Sequence, residues 1–160
     1  MNRMEVPIKD NILYQTGDLL LRAELGLLLR DAAGNWTLQT FRVDSGSDIS
    51  AMPAYRAKVL GLAMPQQGLT ISLTTAIGQQ NVLIRSGYLR LKVDGLSQTE
   101  HIIPCHFRGD PDTPPPPGTT ATGPYNLLGL AGVIDKLRFT FDGTPLSMSA
   151  PYGILVVEEM

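Results

Sequence analysis

Apolar and polar positions alternate strictly along much of this chain. In the run at 19–30, Leu21, Ala23, Leu25, Leu27 and Leu29 fall on one side and Arg22, Glu24 and Arg30 on the other. The Leu, Ala, Glu and Arg content there also favours a helix by propensity. Gly26 weakens that helix, and the turn-forming "DAAGNW" leads straight into a second extended run, so the pattern predicts a strand entering a hairpin.

Residues 36–43, "WTLQTFRV", are rich in β-branched and aromatic side chains. Their apolar positions change phase between Leu38 and Phe41, which predicts a bulge or bend, and Trp36 is expected in the core. A short helix is predicted over 53–61, with Pro53 at its first position and Gly61 at its stop. The runs at 69–75 and 82–93 alternate again and enclose "TAIGQQN", a small, polar, glycine-centred hairpin tip. Residues 101–107 form another strand, in which Pro104 argues for an edge or a bulge. "RGDPDTPPPPGTTATGP", at 108–124, is loop with a stiff proline run. "LAGVIDK" is a candidate helical turn. It is followed by a strand "LRFTFDG" with Leu137, Phe139 and Phe141 inward, and by a last apolar strand, "GILVVEEM". No fixed-period repeat is present. The sum is an all-β domain with one or two short helices, a small closed barrel or a sandwich.

Composition narrows this picture. A chain of 160 residues favours a single domain, 1–160, with an N-terminal segment at 1–18 and a Pro/Gly-rich loop insertion at 108–124. Hydrophobic residues make up 43%, charged residues 18%, and the net charge is −2, so there is no electrostatic footprint for nucleic acid and no basic face for a membrane. The single cysteine excludes an internal disulfide and points to a reducing compartment. The start of the chain lacks a clean apolar core and cleavage site, and "DLLLRAELGLLLRD" is broken by Arg22 and Glu24, so neither a signal peptide nor a membrane span is expected. A cytoplasmic location is the corresponding expectation.

The chemistry is concentrated in "FRVDSGSDISAMP", residues 41–53. Apolar Phe41 and Val43 run into Asp44, then Ser45 and Gly46, and a second acid follows at Asp48. Gly46 lets the backbone turn sharply, and the Ser45 hydroxyl can bond across the loop. Alone, such a triplet is most often a plain turn or a capping acid. A phosphorylated degron would need a disordered setting, and Phe41, Val43, Ile49 and Met52 argue instead for burial. His101, Cys105 and His106 lie close in sequence. Alternation sends Cys105 and His106 to opposite faces, and no second ligand cluster accompanies them, so their use is structural and no metal is expected. Arg108-Gly109-Asp110 spells an integrin motif without a secretion signal to support it, and the four prolines are better read as a connector than as a docking peptide.

The order of an apolar strand, "VDSGSDIS", a helix, a glycine-tipped hairpin and, late in the chain, Leu127-Leu128-Gly129 with "LAGVIDKLRFTFDG" after it resembles the retropepsin-like aspartic proteases. The likeness runs from about Leu19 to Asp142. It implies a small closed barrel of the acid-protease type and an aspartic endopeptidase that needs no cofactor. The chain carries a single Asp-Ser-Gly, while the chemistry needs two carboxylates facing one water, so the resemblance implies a homodimer in which each subunit supplies Asp44. Two such carboxylates share a proton and titrate as a unit, so activity is expected to favour acidic pH. By position, Ser45 resembles the residue whose hydroxyl locks the two loops across the axis, and Gly46 and Ser47 complete the active-site loop. Asp48 resembles the acid that contacts substrate backbone, and Ala76, Ile77 and Gly78 sit where a flap tip closes over a peptide. "GILVVEEM" is a candidate dimer-interface strand, since an exposed apolar edge is a liability. Leu130 stands where the family often has Arg, the usual partner of the acid at position 48; Arg42 and Arg138 are the alternatives in this chain. The implied partners are a peptide or protein substrate and a second copy of the chain. A non-catalytic peptide-binding or dimerisation module on the same fold is the rival.

Overall fold

A computed structural model describes every residue except 1, 14–16, 76–77 and 115–125. The chain forms strands β1 (Arg3–Pro7) and β2 (Lys9–Leu13) within the N-terminal segment, where no strand was expected, then β3 (Asp18–Arg22), β4 (Glu24–Arg30), β5 (Trp36–Val43) and β6 (Ser50–Pro53). After helix α1 (Ala54–Val59) come β7 (Leu69–Thr75), β8 (Gly78–Val93), β9 (His101–Arg108), β10 (Leu127–Leu128), β11 (Leu137–Asp142) and β12 (Ile154–Glu159). The largest sheet runs β4-β5-β10-β6-β9-β8-β7, and β4 also bonds to β8, so the ladder returns on itself. Most neighbours are antiparallel; β10 against β5 and β6 against β9 are parallel. A smaller sheet has the order β1-β12-β11, and β2 pairs with β3.

The run at 19–30 is two strands, β3 and β4, separated at Ala23. Leu25, Leu27 and Leu29 are all buried on the inner face of β4, whereas Leu21 is 51% exposed: it belongs to β3, whose ladder partner is β2, outside the main sheet. The expected bulge in β5 is absent. The β4–β5 ladder is unbroken from Glu24–Arg42 to Arg30–Trp36. The phase change arises because Leu38 faces outward over Gly26, while Phe41 is fully buried opposite Leu25. Trp36 is on that outer face too. It is half-buried, with the Lys92 ammonium 4.2 Å from its ring centroid, so it is a cation–π platform and not a core residue.

Pro53 ends β6 and forms the N-cap of α1, one residue earlier than expected. Gly61, with φ +71°, stops the turn that follows. Pro104 faces Tyr88 of β8, one residue before the ladder to β6 begins at Cys105, so it occupies a stretch of β9 with a neighbour on one side only. The segment after Gly129 is a run of turns, with Ile134 N–H donating to Leu130 O at 3.1 Å and Leu137 N–H to Val133 O at 2.8 Å.

Two expectations about the C-terminal region are overturned. Phe141 is 53% exposed and does not join Leu137 in the core. β12 is not an exposed edge, because β1 and β11 flank it on both sides and Ile154–Val157 are buried. Its backbone groups are already paired within the chain. The main core gathers Phe41, Met52, Leu89, Leu91, Ile103, Phe107, Leu155 and their neighbours. Among the described residues, no helix is long and apolar enough to cross a membrane.

Candidate active site

β5 ends at Val43 and delivers Asp44 to a loop that is pinned from behind by β10. The Asp44 N–H donates to Leu128 O at 3.0 Å. Its carboxylate Oδ1 accepts the Gly46 N–H at 3.0 Å, and its carbonyl accepts the Ser47 N–H at 3.2 Å. These bonds make a compact Asx turn in which the acid orients itself. Gly46 does not take a positive φ. A Cβ there would lie 3.3 Å from Asp44 Oδ1, so glycine serves close approach to the carboxylate instead of an unusual backbone angle.

Past the turn, the loop is clamped to the segment 127–131. Leu130 N–H donates to Ser47 O at 3.0 Å and Ala131 N–H to Asp48 O at 2.8 Å. The buried Ser50 hydroxyl accepts the Gly129 N–H at 2.9 Å, and the Ser47 hydroxyl donates to Ile49 O at 2.8 Å. Gly129 has no alternative: a Cβ would stand 2.6 Å from the carbonyl carbon of Ile49 and 2.8 Å from Ser47 O. Asn126 anchors the approach to β10. Its amide donates to Thr40 O at 3.1 Å, and its side-chain oxygen accepts Arg56 Nη1 at 2.6 Å.

The result is a half-buried Asp44 on the wall of a groove, with Ser45, Gly46 and Asp48 exposed around it. The groove encloses about 360 Å³ and continues past Ser45 to Ile134, Phe139, Phe141 and Met160. Ile134, Phe141 and Met160 are 57%, 53% and 62% exposed, so an apolar strip beside the acid faces solvent.

No protein-family model matches the sequence, and no curated protein matches it. A solved structure does: a retropepsin-like aspartic protease from Rickettsia conorii is 18% identical, with a TM-score of 0.54, over 96% of this chain and 98% of that one. The chain shares its overall fold with that structure. At this identity the likeness is one of fold, and the roles of side chains rest on their own geometry.

On this fold the expected loop residues Asp44, Ser45, Gly46 and Ser47 come together as one turn. The Ser45 hydroxyl makes no hydrogen bond among the described residues and is exposed. Asp48 is exposed and forms no ion pair among the described residues; Arg138 instead lies 4.0 Å from Glu158. Leu130 lines the groove. The hairpin β7–β8 pairs up to Thr75–Gly78, and Gly78 has φ +113°. Ala76 and Ile77, the other expected flap-tip residues, lie outside the described residues.

One residue that holds the site together, Ser50, was not singled out by sequence pattern. Ser50 is a fully buried hydroxyl between Ile49 and Ala51; a lone hydroxyl inside an apolar run is its only signal. Arg108 is the last residue of β9, with its Nε buried and unpaired, and His106 precedes it on the same face. Burial lowers the pKa of both. The Arg108 charge lowers His106 further, whereas Cys105 and the Asp44 carboxylate draw Arg108 back up. Arg108 therefore ends a strand instead of presenting an integrin-type loop. Cys105 and His106 do take opposite faces, and among the described residues no three metal-ligating side chains gather.

Cys105 is fully buried, and burial pushes its thiol up to about 12, against smaller opposing effects from Arg108 and a hydrogen bond at Met52. Iodoacetamide at about pH 8 is expected to leave the native protein unmodified and to add one adduct after denaturation, read by intact mass. The folded value lies above the unfolded value of 9.0, so this thiol contributes stability that is present below 9.0 and is lost as pH rises toward about 12.

Proposed function

We propose that this chain is one half of an aspartic endopeptidase, completed when two copies place their Asp44 loops on a common twofold axis. The observation that carries the proposal is the self-oriented Asp44 carboxylate on the wall of an open apolar groove, in a retropepsin-like fold. One chain supplies one such acid, and water activation between carboxylates needs two. In the dimer the pair shares one proton, because two adjacent charges cannot both ionise cheaply. The ionised member removes a proton from the bridging water as it attacks the scissile carbonyl. The protonated member donates to the carbonyl oxygen and stabilises the developing oxyanion, and a proton then passes to the leaving nitrogen.

The surroundings support this reading. The exposed Ser45 hydroxyl has no partner within the described chain, as a group that bonds across an axis should not. Asp48 is free to meet substrate backbone N–H groups. The β7–β8 hairpin, paired up to Thr75–Gly78, supports a flap role, and the pairing of β8 with β4 supports a barrel that closes. The exposed strip of Ile134, Phe141 and Met160 is the dimer surface, in place of β12.

Incubation with denatured protein substrates from acidic to neutral pH, with mass-spectrometric mapping of new termini, tests the activity. Cleavage blocked by a hydroxyl-bearing transition-state mimic is the expected result. Peptide binding without cleavage at any pH would instead indicate a binding module. Ile134→Asp tests the dimer surface. A C2 interface would bury two new unpaired charges, at a cost of several kcal/mol in all. Sedimentation equilibrium is expected to show the dimer dissociation constant raised by at least about 100-fold. The melting temperature of the monomer should stay within a few degrees, because an exposed side chain is being changed. An unaltered dimer would place the interface elsewhere.

A further inference from the structure

We infer that the β2–β3 ribbon, residues 9–22, is an arm that grips a second copy of this chain. The inference rests on the twofold dimer proposed above, and it assigns a contact that the exposed strip beside Asp44 does not supply.

The ribbon has firm feet. Just before β2, the Ile8 N–H donates to Gly153 O at 3.0 Å. Just after β3, the Ala23 carbonyl accepts the N–H of Val43, the neighbour of Asp44, at 2.8 Å. An ion pair, Lys9 Nζ to Glu24 Oε2 at 3.8 Å, ties the base of the ribbon to the start of β4. Glu24 lies opposite Arg42, so the chain ahead of β4 leaves the main sheet at the end of β5 that carries Asp44. Gly153 precedes Ile154, which lies opposite Asp142, the residue after Phe141. Val43 and Phe141 both line the groove beside Asp44, so each foot is bonded at or next to that groove's wall.

Beyond its feet the ribbon lacks support from its own chain. β2 and β3 pair with each other alone, from Lys9–Arg22 to Leu13–Asp18. Among the described residues, neither strand packs extensively on any other element, and none of 9–22 enters a core cluster. Leu19 and Leu21 share one face of β3 and are 49% and 51% exposed. A two-stranded ribbon alone in water is marginally stable, because little burial offsets the ordering of its backbone. The surface that holds it therefore comes from another molecule.

Area and symmetry point to a second copy. Ile134, Phe141 and Met160, each a little over half exposed, together offer on the order of 300 Å². A stable interface buries about 800 Å² per partner. Five paired residues make a ribbon about 17 Å long, which supplies area of the missing order. A twofold axis beside Asp44 also passes close to Ala23, so an arm of that length rooted there reaches the partner. Each copy then buries its two leucines against the other, and every contact is made twice.

Sedimentation equilibrium and hydrogen exchange on the full chain test this. The double variant Leu19→Asp/Leu21→Asp is expected to raise the dimer dissociation constant at least about 100-fold, because the symmetric interface would bury unpaired charges from both copies. The melting temperature of the monomer should stay within a few degrees, since both side chains are exposed. Replacing residues 9–22 by an Asn-Gly turn between Ile8 and Ala23 should weaken the dimer in the same way. In wild type, the amides of 9–13 and 18–22 should exchange more slowly as protein concentration rises. If both ribbon variants dimerise as wild type does, the arm assignment falls and the dimer stands; a raised KM in those variants would then place the ribbon over substrate instead. If wild type stays monomeric at every concentration, the dimer reading falls and takes the arm with it.

Discussion

Asp44→Asn is expected to abolish peptide cleavage, with kcat reduced by at least about 10³-fold, while fold and dimer persist. Asparagine matches the shape of the side chain and keeps an oxygen that can accept the Gly46 N–H now held at 3.0 Å. The turn therefore survives and the melting temperature should move little. What is lost is the proton chemistry: an amide can neither take a proton from water nor alternate between donor and acceptor within a shared-proton pair. Single-turnover cleavage, thermal melting and sedimentation on the same sample separate these effects. Cleavage that survives the substitution would remove Asp44 from the chemistry and the proposal with it. Loss of cleavage together with loss of the dimer would show a structural acid in place of a catalytic one.

Gly129→Ala is expected to cost both stability and activity. Its Cβ would meet backbone on two residues, Ile49 and Ser47, at 2.6–2.9 Å. No side chain there can swing aside, so the loop 44–49 and the segment 127–131 must separate. Their separation would break the bonds from Leu130 to Ser47 and from Ala131 to Asp48 and strand the buried Ser50 hydroxyl. A cost of about 3 kcal/mol sits at the upper end for forced overpacking, and in a chain of this size it lowers the melting temperature by roughly 6–12 °C. The same displacement tilts Asp44, whose own N–H is bonded to Leu128 O. Activity in the surviving folded fraction should therefore fall as well, measured as kcat at a temperature well below the melt. A variant as stable and as active as wild type would show that the clamp is not what positions the acid.

Local pattern and tertiary context contributed differently to this protein. The alternation of Leu25, Leu27 and Leu29 was enough to predict β4 and its buried face, because the period of side chains along a strand is a covalent property of the backbone. The Asp44 turn was legible for a similar reason, since tight turns admit few residue types, whereas Gly129 stood out only through the resemblance. Trp36, Leu21 and Phe141 misled in a consistent way. Each is strongly apolar and lies on a strand as expected, yet hydrophobicity states a preference for burial without naming the surface that supplies it. Trp36 shares its face with Lys92, Leu21 pairs away from the main sheet, and Phe141 turns to the groove beside Asp44.

By itself, the sequence determined most strands beyond residue 18, the turn that holds the candidate acid, and the arithmetic that one chain carries a single Asp-Ser-Gly, because all of these depend on residues near one another along the backbone. Only the tertiary structure decided that β12 is enclosed and that Ile134, Phe141 and Met160 are left for solvent or a second copy. The physical reason is that burial and charge proximity are set by which strands become neighbours, and pairing between segments so distant is a property of the whole sheet.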